Sequence, residues 1–371
     1  MWTRRHLLGT VGLTAAGCAA GALGLSTRAQ AADLRFAVRR FPVGQPTTVR
    51  LVGYDPDRAE ADVAVFQAAF DAACEAPPAQ RLAARLQAAR DAGQTARVLV
   101  KPAVNSGNRF PYTASPRSVR AVCAWLREQG ASEVIVADMS GPSIGTALAL
   151  GRSGLASAAL AGGADRIVAF DELGWRRYEL EAATTFHGHF ELTALLGDAD
   201  FVVNIARAST HKLALLTLSL KNWQGLASGS TRRRTHASPG RSLVDFLAEY
   251  ALAIKPDLVV IDAGLVNTTG GPDQGLVVPV GAVLVAEDMV AADLVALGLL
   301  RWASQRVDGQ PRFGRPALLT DPTALLWQAP VIRQAVALGV GVARPEELLL
   351  STQAISAELR GRLRADLDRV A

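Results

Sequence analysis

The sequence predicts an α/β protein with a mostly parallel central sheet, helices on both faces of the sheet and a helical C-terminal tail. Five short apolar runs rich in Val and Ile alternate with helical stretches, which is typical of buried parallel strands. Each run ends on a polar residue: RVLVK on Lys101, EVIVAD on Asp138, RIVAFD on Asp171, DFVVN on Asn204 and DLVVID on Asp262. In open α/β sheets ligands bind outside the carboxyl ends of the strands. These five residues therefore predict a polar site for an anion, a metal ion or both.

The elements follow from apolar periodicity and from turn residues. Residues 1–31 are predicted to be an export signal, 32–95 a strand and helix lead-in, 96–320 the α/β core and 321–371 C-terminal helices packed on the core. Within the core we expect helices at 115–129, 147–161, 211–221, 242–254 and 288–299, and strands at 133–138, 166–170, 200–204 and 258–262. Residues 275–286 are rich in β-formers. The tail is expected to be helical at 321–339 and 345–370, and its last part is amphipathic.

The N-terminal segment fits a twin-arginine signal. Arg4 and Arg5 precede an apolar stretch rich in Gly and Ala that continues to Leu25, and 29–31 is an A-x-A cleavage site. The stretch is short and a poor spanning helix. We therefore expect folded export by the twin-arginine machinery to the periplasm or beyond, with no stable membrane span after processing. A lipid anchor at Cys18 and a retained membrane anchor are the alternatives.

Charge and cysteine content exclude two classes of protein. Removing residues 1–31 takes away three arginines and no carboxylate, so the net charge falls from +5 to +2, which argues against nucleic-acid binding. The arginine run 232–234 is either a solvated loop or a phosphate clamp. Cys74 and Cys123 remain, both in helical patterns, and the sequence leaves open whether they pair. Without a C-x-x-C motif, an iron–sulfur cluster held by four thiolates is excluded.

The histidines cluster in one part of the chain. After residue 31 they are confined to His187, His189, His211 and His236. One-residue spacing would place His187 and His189 on one face of an extended strand, where together with a carboxylate they could bind a divalent metal ion. The alternative is that the two half-exposed rings flank a turn.

His211 and Lys221 are a second candidate pair. A continuous helix would hold them about 15 Å apart on similar faces, so they converge only if the chain bends. Four of the 39 basic residues are lysines, which draws attention to Lys101 and Lys221 as compact cations in an arginine-rich chain. Asn222 and Gly225 indicate a helix end or a close backbone approach.

Three further segments bear on the site. Ser143 lies in a G-x-S-x-G segment, but no histidine follows Asp262, so a hydrolase triad is disfavoured and an anion-facing loop is favoured. Gly271 belongs to a second flexible loop rich in hydrogen-bond donors. Asp288 is explained as a helix N-cap. Asp293 lies in an apolar face and needs a partner, either a lysine or a metal ion.

These segments together resemble the domain-of-unknown-function 362 family, from about Val98 to Leu299. The resemblance is carried by VLVKPAVNS, ASPRSVRAVCAWLREQGASEVIVAD, ADFVVNIARASTHKLALLTLSLKNWQG, KPDLVVIDAG, GGP and EDMVAADLVALGLL in this order. The resemblance implies ten site residues, namely Lys101, Asn105, Asp138, Asn204, His211, Lys221, Asn222, Asp262, Asp288 and Asp293.

The chain departs from the family pattern at three places. Ser209 stands where the family usually has a lysine, and Ala103 where it has an asparagine. The ferredoxin-type cysteine motifs of many members are absent, so a redox function is not carried over.

The sequence leaves two main functions open. The first is an exported enzyme, dependent on a metal or an anion, acting on a small carboxylated or phosphorylated molecule. Lys101 and Lys221 would hold the anion, Asp138 and Asp262 would bind metal or position water, and His211 would be the general base. The second is a non-catalytic periplasmic protein that binds a ligand or metal. A third function, that of a structural protein that binds a partner through its C-terminal helix, would leave the strand-end residues unexplained.

Overall fold

The computed structural model describes residues 45–237, 243–307 and 316–370 and the backbone of Trp2–Thr3. Eleven strands of this part of the chain form one sheet, and two more form a separate hairpin. The strands are β1 (Trp2–Thr3), β2 (Thr47–Gly53), β3 (Arg97–Pro102), β4 (Glu133–Asp138), β5 (Arg166–Ala169), β6 (Trp175–Glu179), β7 (His189–Thr193), β8 (Phe201–His211), β9 (Leu215–Thr217), β10 (Leu258–Asn267), β11 (Val277–Pro279), β12 (Ala282–Ala286) and β13 (Leu348–Gln353).

The central strands are parallel, as the sequence predicts. The main order is β1-β5-β4-β3-β8-β10-β12-β2-β13, and each neighbouring pair from β5 to β10 is parallel. The strand β12 runs against β10 and β2, whereas β2 and β13 are again parallel. The short strands β9 and β11 pair antiparallel with β8 and β10. The ends of β3, β4 and β5 thus lie at one edge.

Helices cover both faces of the sheet. Those before β6 are α1 (Pro56–Ala61), α2 (Val63–Cys74), α3 (Pro77–Asp91), α4 (Pro116–Glu128), α5 (Thr146–Arg152) and α6 (Leu155–Ala161). Those after β9 are α7 (Ser219–Asn222), α8 (Gly229–Ala237), α9 (Leu243–Ala253), α10 (Met289–Gln305), α11 (Ala317–Thr320), α12 (Pro330–Ala337) and α13 (Ala357–Leu367).

Side-chain alternation divides the apolar core into two clusters. In β3, Val98 and Val100 pack with α2–α4, whereas Leu99 packs in the other cluster, which includes α9, α10, α12 and α13. The same alternation holds in β8, where Val203 joins the first cluster and Val202 the second. Because successive strand residues point to opposite faces, a parallel strand covered by helices is apolar along its whole length.

Several predicted elements differ from the structure. The expected helix 211–221 is replaced by the end of β8, a turn, β9 and the short α7. Residues 147–161 form two helices, because Gly154 adopts a left-handed φ of 80° between α5 and α6. The tail contains the strand β13 where 345–370 was expected to be helical, although α13 packs on α10 through its apolar face, as its pattern indicates. The predicted signal segment lies outside the described residues except for Trp2 and Thr3, and Cys18 lies outside as well.

Candidate functional site

A cavity of about 820 Å³ opens at the carboxyl edge of β3, β4 and β8. It is lined by the ends of these strands, the loop 139–145, the segment 221–225 and the helix α8. Seven of the predicted site residues line it: Lys101, Asn105, Asp138, Asp171, His211, Lys221 and Asn222. Parallel strands bring residues that are distant in sequence to one edge, so this clustering agrees with the strand-end argument.

Lys101 and Asp138 form an ion pair on the inner wall of the cavity. Lys101 Nζ lies 2.7 Å from Asp138 Oδ1, and both side chains are almost fully buried. Lys101 Nζ also donates to Asn222 Oδ1 at 2.9 Å, and Val104 N donates to Asp138 Oδ2 at 2.8 Å. Burial lowers the pKa of Lys101, and the Asp138 carboxylate opposes this shift. The charge of Lys101 is therefore largely compensated within the protein.

Gly225 lies directly over this ion pair. A Cβ on Gly225 would stand 2.5 Å from Lys101 Nζ and would collide with Asp138 Oδ1. The close backbone approach that the sequence indicated at Gly225 is thus confirmed, and the pair leaves room for glycine alone.

The short helix α7 is held in place from two sides. The Asp293 carboxylate of α10 accepts from Ser219 N at 2.7 Å and from Leu220 N at 3.0 Å. On the other side, Asn222 Nδ2 donates to Asn204 Oδ1 at 2.7 Å. Burial raises the pKa of Asp293 to about 7, while its hydrogen bonds oppose the rise. The partners of Asp293 are therefore backbone amides, in place of the lysine or metal ion that the sequence suggested.

Lys221 projects from α7 into the cavity without a partner. No hydrogen bond or ion pair joins its ammonium to any described residue, in contrast to Lys101. Burial, and then the positive charges of Arg207, Arg232 and Lys101, lower the pKa of Lys221 to about 7, while the Asp273 carboxylate opposes this shift.

Arg207 is a second buried cation that no carboxylate pairs in the described structure. It lies in β8 with 1% of its surface exposed, and its Nη1 donates to Pro111 O at 3.2 Å and Pro272 O at 2.9 Å. Its Nε is buried without an acceptor. Burial lowers the pKa of Arg207 to about 10. Sequence reasoning misses this residue because the apolar run DFVVN predicts a strand that ends at Asn204. The continuing alternation of IARASTH was the available signal.

Arg232 and Arg233 add two further cations to the lining of the cavity. Arg232 donates to Met139 O at 2.6 Å, Ser140 O at 2.7 Å and Gln224 O at 3.1 Å, so it joins the end of β4 to the 221–225 segment. Arg233 is exposed at the cavity rim. The run 232–234 belongs to α8, so the loop expected there is wrong, while a role of this run in binding phosphate stays a prediction.

His211 is arranged as a hydrogen-bond donor. Its Nδ1 accepts from Leu213 N at 3.1 Å and Ala214 N at 3.0 Å, which assigns the ring proton to Nε2. Burial, and then the charges of Lys221 and Arg207, lower the pKa of His211 to about 2. The ring is therefore neutral at physiological pH. This geometry favours a neutral donor and disfavours the general base that the sequence suggested.

The carboxylate Asp273 faces the cations from the loop after β10. Asn105 Nδ2 donates to its side chain and Asn108 Nδ2 donates to its backbone oxygen at 3.3 Å. Gly271, two residues earlier, has a φ of 64° and packs against the backbone of Thr210. Gly271 thus shapes this loop and does not itself line the cavity.

Three of the predicted site carboxylates and one predicted amide do not line the cavity. Asn204 and Asp262 were expected at strand ends, but β8 and β10 continue to His211 and Asn267. Asp262 accepts from Tyr54 Oη and from Arg117 Nε at 2.8 Å, on the face covered by α2 and α4. Asp288 is the N-cap of α10, as predicted, and Asn204 and Asp293 support α7.

His187 and His189 do not reach the cavity. His187 adopts a left-handed φ of 57° and precedes the strand β7, which begins at His189, so the expected common strand face is wrong. His187 is exposed, and His189 Nδ1 lies 3.2 Å from His187 O. In 45–237, 243–307 and 316–370, no three His, Cys, Asp or Glu residues gather in a way that could hold a metal ion. A metal ion held by His187 and His189 stays a prediction.

The remaining sequence candidates have ordinary surroundings. Cys74 and Cys123 are buried free thiols, and burial raises the pKa of both. Ser143 lies on the exposed rim of the cavity, in the loop that precedes α5. Within the described ranges, no helix is both long and apolar enough to cross a membrane.

The fold and the site define an α/β protein whose cavity, at the carboxyl edge of a parallel sheet, is lined by more cations than carboxylates. The family described as "Domain of unknown function (DUF362)" matches residues 98–298, more than half of the chain, and the chain belongs to this family. It is also 28% identical over 214 residues to "Thylakoid-associated protein sll1697" of Synechocystis sp. (strain ATCC 27184 / PCC 6803 / Kazusa). The aligned region covers 55% of this chain and 63% of that protein. No solved structure shows a significant match.

Proposed function

We propose that the protein is an enzyme that binds a small carboxylated or phosphorylated molecule in the cavity at the carboxyl edge of the sheet. The observation that carries the proposal is a pair of cavity cations, the buried Arg207 and the half-buried Lys221, with which no carboxylate of the described structure forms an ion pair. An unpaired buried charge is costly, and an anionic ligand would compensate it. A guanidinium fork matches both carboxylate and phosphate oxygens.

The chemistry of the surrounding groups supports an anion in preference to a cation. Lys101 is already neutralised by Asp138, and the four other cations of the lining, Arg207, Lys221, Arg232 and Arg233, outnumber its two other carboxylates, Asp171 and Asp273. The Nε2–H of a neutral His211 would donate to the same ligand. Of the roles suggested by the sequence, anion binding by Lys221 agrees with this arrangement, and anion binding by Lys101 agrees less well.

A titration with simple anions tests the proposal. Isothermal calorimetry and thermal unfolding would be recorded with oxalate, orthophosphate and pyrophosphate at low and moderate ionic strength. A ligand at a hundred times its Kd stabilises the folded state by about 2.7 kcal/mol. We expect Lys221→Met to lose most of this stabilisation and the exposed control Lys212→Met to retain it. Equal behaviour of both variants, or no anion-dependent stabilisation of the wild type, would contradict the proposal.

A non-catalytic ligand-binding protein is the second candidate, and one observation favours it. His211 Nδ1 is occupied by two backbone amides, so the most obvious base of the site is not available. Turnover of a bound anion, followed by mass spectrometry of the ligand, separates an enzyme from a binding protein.

We infer export from the twin-arginine segment at residues 3–8. Cell fractionation of the full chain beside an Arg4→Lys/Arg5→Lys variant tests this proposal. Wild-type protein in the periplasm and the variant in the cytoplasm would support it, and the same distribution of both would contradict it. A divalent metal ion stays a prediction, for which elemental analysis of the purified protein is the test.

A further inference from the structure

We propose that Lys221 is a catalytic residue whose amine forms an imine with the carbonyl group of a substrate that also carries a carboxylate. The inference rests on the proposed anion-binding function and names its substrate class, a small 2-oxo acid or carboxylated aldehyde. It concerns the same cavity but assigns a covalent role to a residue so far treated as a binding cation.

The surroundings of the half-buried Lys221 differ from those of Lys101, the buried lysine of the same cavity. Lys101 is engaged by the Asp138 carboxylate and the Asn222 amide oxygen. Lys221 has neither kind of partner in the described structure, and its nearest charges are mainly positive. A lysine becomes nucleophilic when it is desolvated or adjacent to other cations, because both conditions disfavour the ammonium form. Lys221 is half-buried and lines the cavity together with Arg207 and Arg232, and its pKa of about 7 agrees with this arrangement.

The supporting helix gives Lys221 a fixed position. The amides of the two residues before it bind the Asp293 carboxylate, and the side chain of the next residue, Asn222, is bound to Lys101 and Asn204. The backbone that carries the amine is therefore anchored on both sides. Catalytic groups held in this way are pre-organised, which is a requirement of covalent catalysis.

The neighbouring groups match the two ends of such a substrate. The Arg207 guanidinium would hold the carboxylate, and the His211 Nε2–H would donate to the carbonyl oxygen. In the proposed step the unprotonated Nζ of Lys221 attacks the carbonyl carbon. The carbonyl oxygen then leaves as water with the two hydrogens of the amine, and a C=N bond replaces the C=O bond. No oxidant or reductant is required.

Trapping with borohydride tests the proposal on the intact chain. Glyoxylate, which carries an aldehyde and a carboxylate, is the probe, and borohydride supplies the hydride that converts an imine to a stable secondary amine. Peptide mapping by mass spectrometry then locates the adduct. An amine with a pKa near 7 is about half unprotonated at neutral pH, against less than about one part in a thousand for an ordinary lysine. We expect labelling of Lys221 to exceed that of the exposed Lys212 by more than about tenfold.

Two variants and one binding measurement complete the experiment. Lys221→Arg retains a cation but cannot form an imine, so the adduct should disappear, whereas Lys212→Arg should leave it unchanged. Calorimetry with glyoxylate and with the unreactive oxalate is recorded in parallel. Binding of either anion without an adduct on Lys221, or adducts spread evenly over the lysines, would overturn the imine proposal and leave the anion-binding function in place. Absence of both binding and adduct would overturn both.

Discussion

At the scale of single residues, the two cavity lysines show how local partners decide the role of one residue type. Lys101 has a carboxylate at 2.7 Å, whereas Lys221 lies among cations. Both are lysines in apolar surroundings, so the sequence could not distinguish them. The distinction predicts opposite consequences when either charge is removed.

Lys101→Met should be strongly destabilising and Lys221→Met should not. Removal of Lys101 leaves the buried Asp138 charge without its partner, which typically costs about 3–5 kcal/mol. Removal of Lys221 eliminates a half-buried cation without an ion-pair partner in the described structure, so the free energy of unfolding at pH 7 should stay equal or rise. Chemical denaturation of the two variants beside the wild type measures both effects. Similar losses in both variants would show that Lys221 has a stabilising partner.

The free energy of unfolding should depend on pH through the protonation of His211. Its pKa is about 6.5 in the unfolded chain and about 2 in the folded protein. Between these values the unfolded chain binds more protons, so the contribution of His211 to stability is lost as pH falls below about 6.5, by up to about 1.4 kcal/mol per pH unit.

The variant His211→Gln should therefore show a shallower fall in the free energy of unfolding between pH 6.5 and 5 than the wild type. The exposed His187, which lies outside the cavity, is the control for the loss of a histidine. Parallel curves for wild type and His211→Gln, measured by denaturant titration at each pH, would argue against a buried neutral ring.

At the scale of elements, the helix α7 connects the helix α10 to the strands β3 and β8. Its first two amides are bound by Asp293 from α10, and Asn222 at its end is bound to β3 and β8. A helix of four residues is too short to be stable by its own hydrogen bonds, so these contacts determine its position. The cavity wall therefore depends on a carboxylate that does not line it.

Asp293→Asn is expected to weaken anion binding indirectly, because Asp293 holds α7 without lining the cavity itself. The amide presents one oxygen where the carboxylate presents two, so either Ser219 N or Leu220 N loses its acceptor, at a cost of about 1–3 kcal/mol. The control is Asp288→Asn at the N-cap of the same helix, where asparagine caps about as well as aspartate, so the cost should be below about 1 kcal/mol and anion affinity should be retained. Denaturation and calorimetric titration of both variants are the measurements. Unchanged affinity in Asp293→Asn would show that α7 is held by Asn222 alone.

At the scale of the whole molecule, the C-terminal helix completes the core on the α10 face. Leu359, Leu363 and Leu367 of α13 are buried, and Leu363 lies so close to Gly298 that a Cβ there would be 2.7 Å from its Cδ2. The helix packs on α10, which also carries Asp293. The tail thus contributes to stability at a distance from the cavity.

Leu363→Ala should reduce the free energy of unfolding by about 2–5 kcal/mol, because it removes buried methyl groups and leaves a cavity between two helices. Anion affinity should be unaltered. The matched control is Leu349→Ala in the edge strand β13, where the side chain is 51% exposed and the change should be within about 0.5 kcal/mol. Thermal and chemical denaturation test this prediction, and a loss of anion affinity in Leu363→Ala would contradict it.

The sequence by itself determined the parallel strands and the edge at which the site lies. Period-two burial and continuous apolar runs are local properties, so β3, β4, β5 and the start of β8 and β10 could be predicted. The strand-end rule then brought Lys101 and Asp138 together. The N-cap role of Asp288 was likewise local, because a cap depends on the residues that directly follow it.

Only the tertiary structure decided which polar residues face the ligand. Asn204 and Asp262 share the same sequence pattern, yet alternation turns Asn204 toward α7 and Asp262 toward Arg117 on the other face. The turn after His211 and the strand β9 bring His211 and Lys221 to one cavity, where a helix would have separated them. Burial and neighbouring charges set the pKa of each group, and both depend on elements far apart in the chain. The reactivity of a lysine or histidine is for this reason a property of the folded molecule.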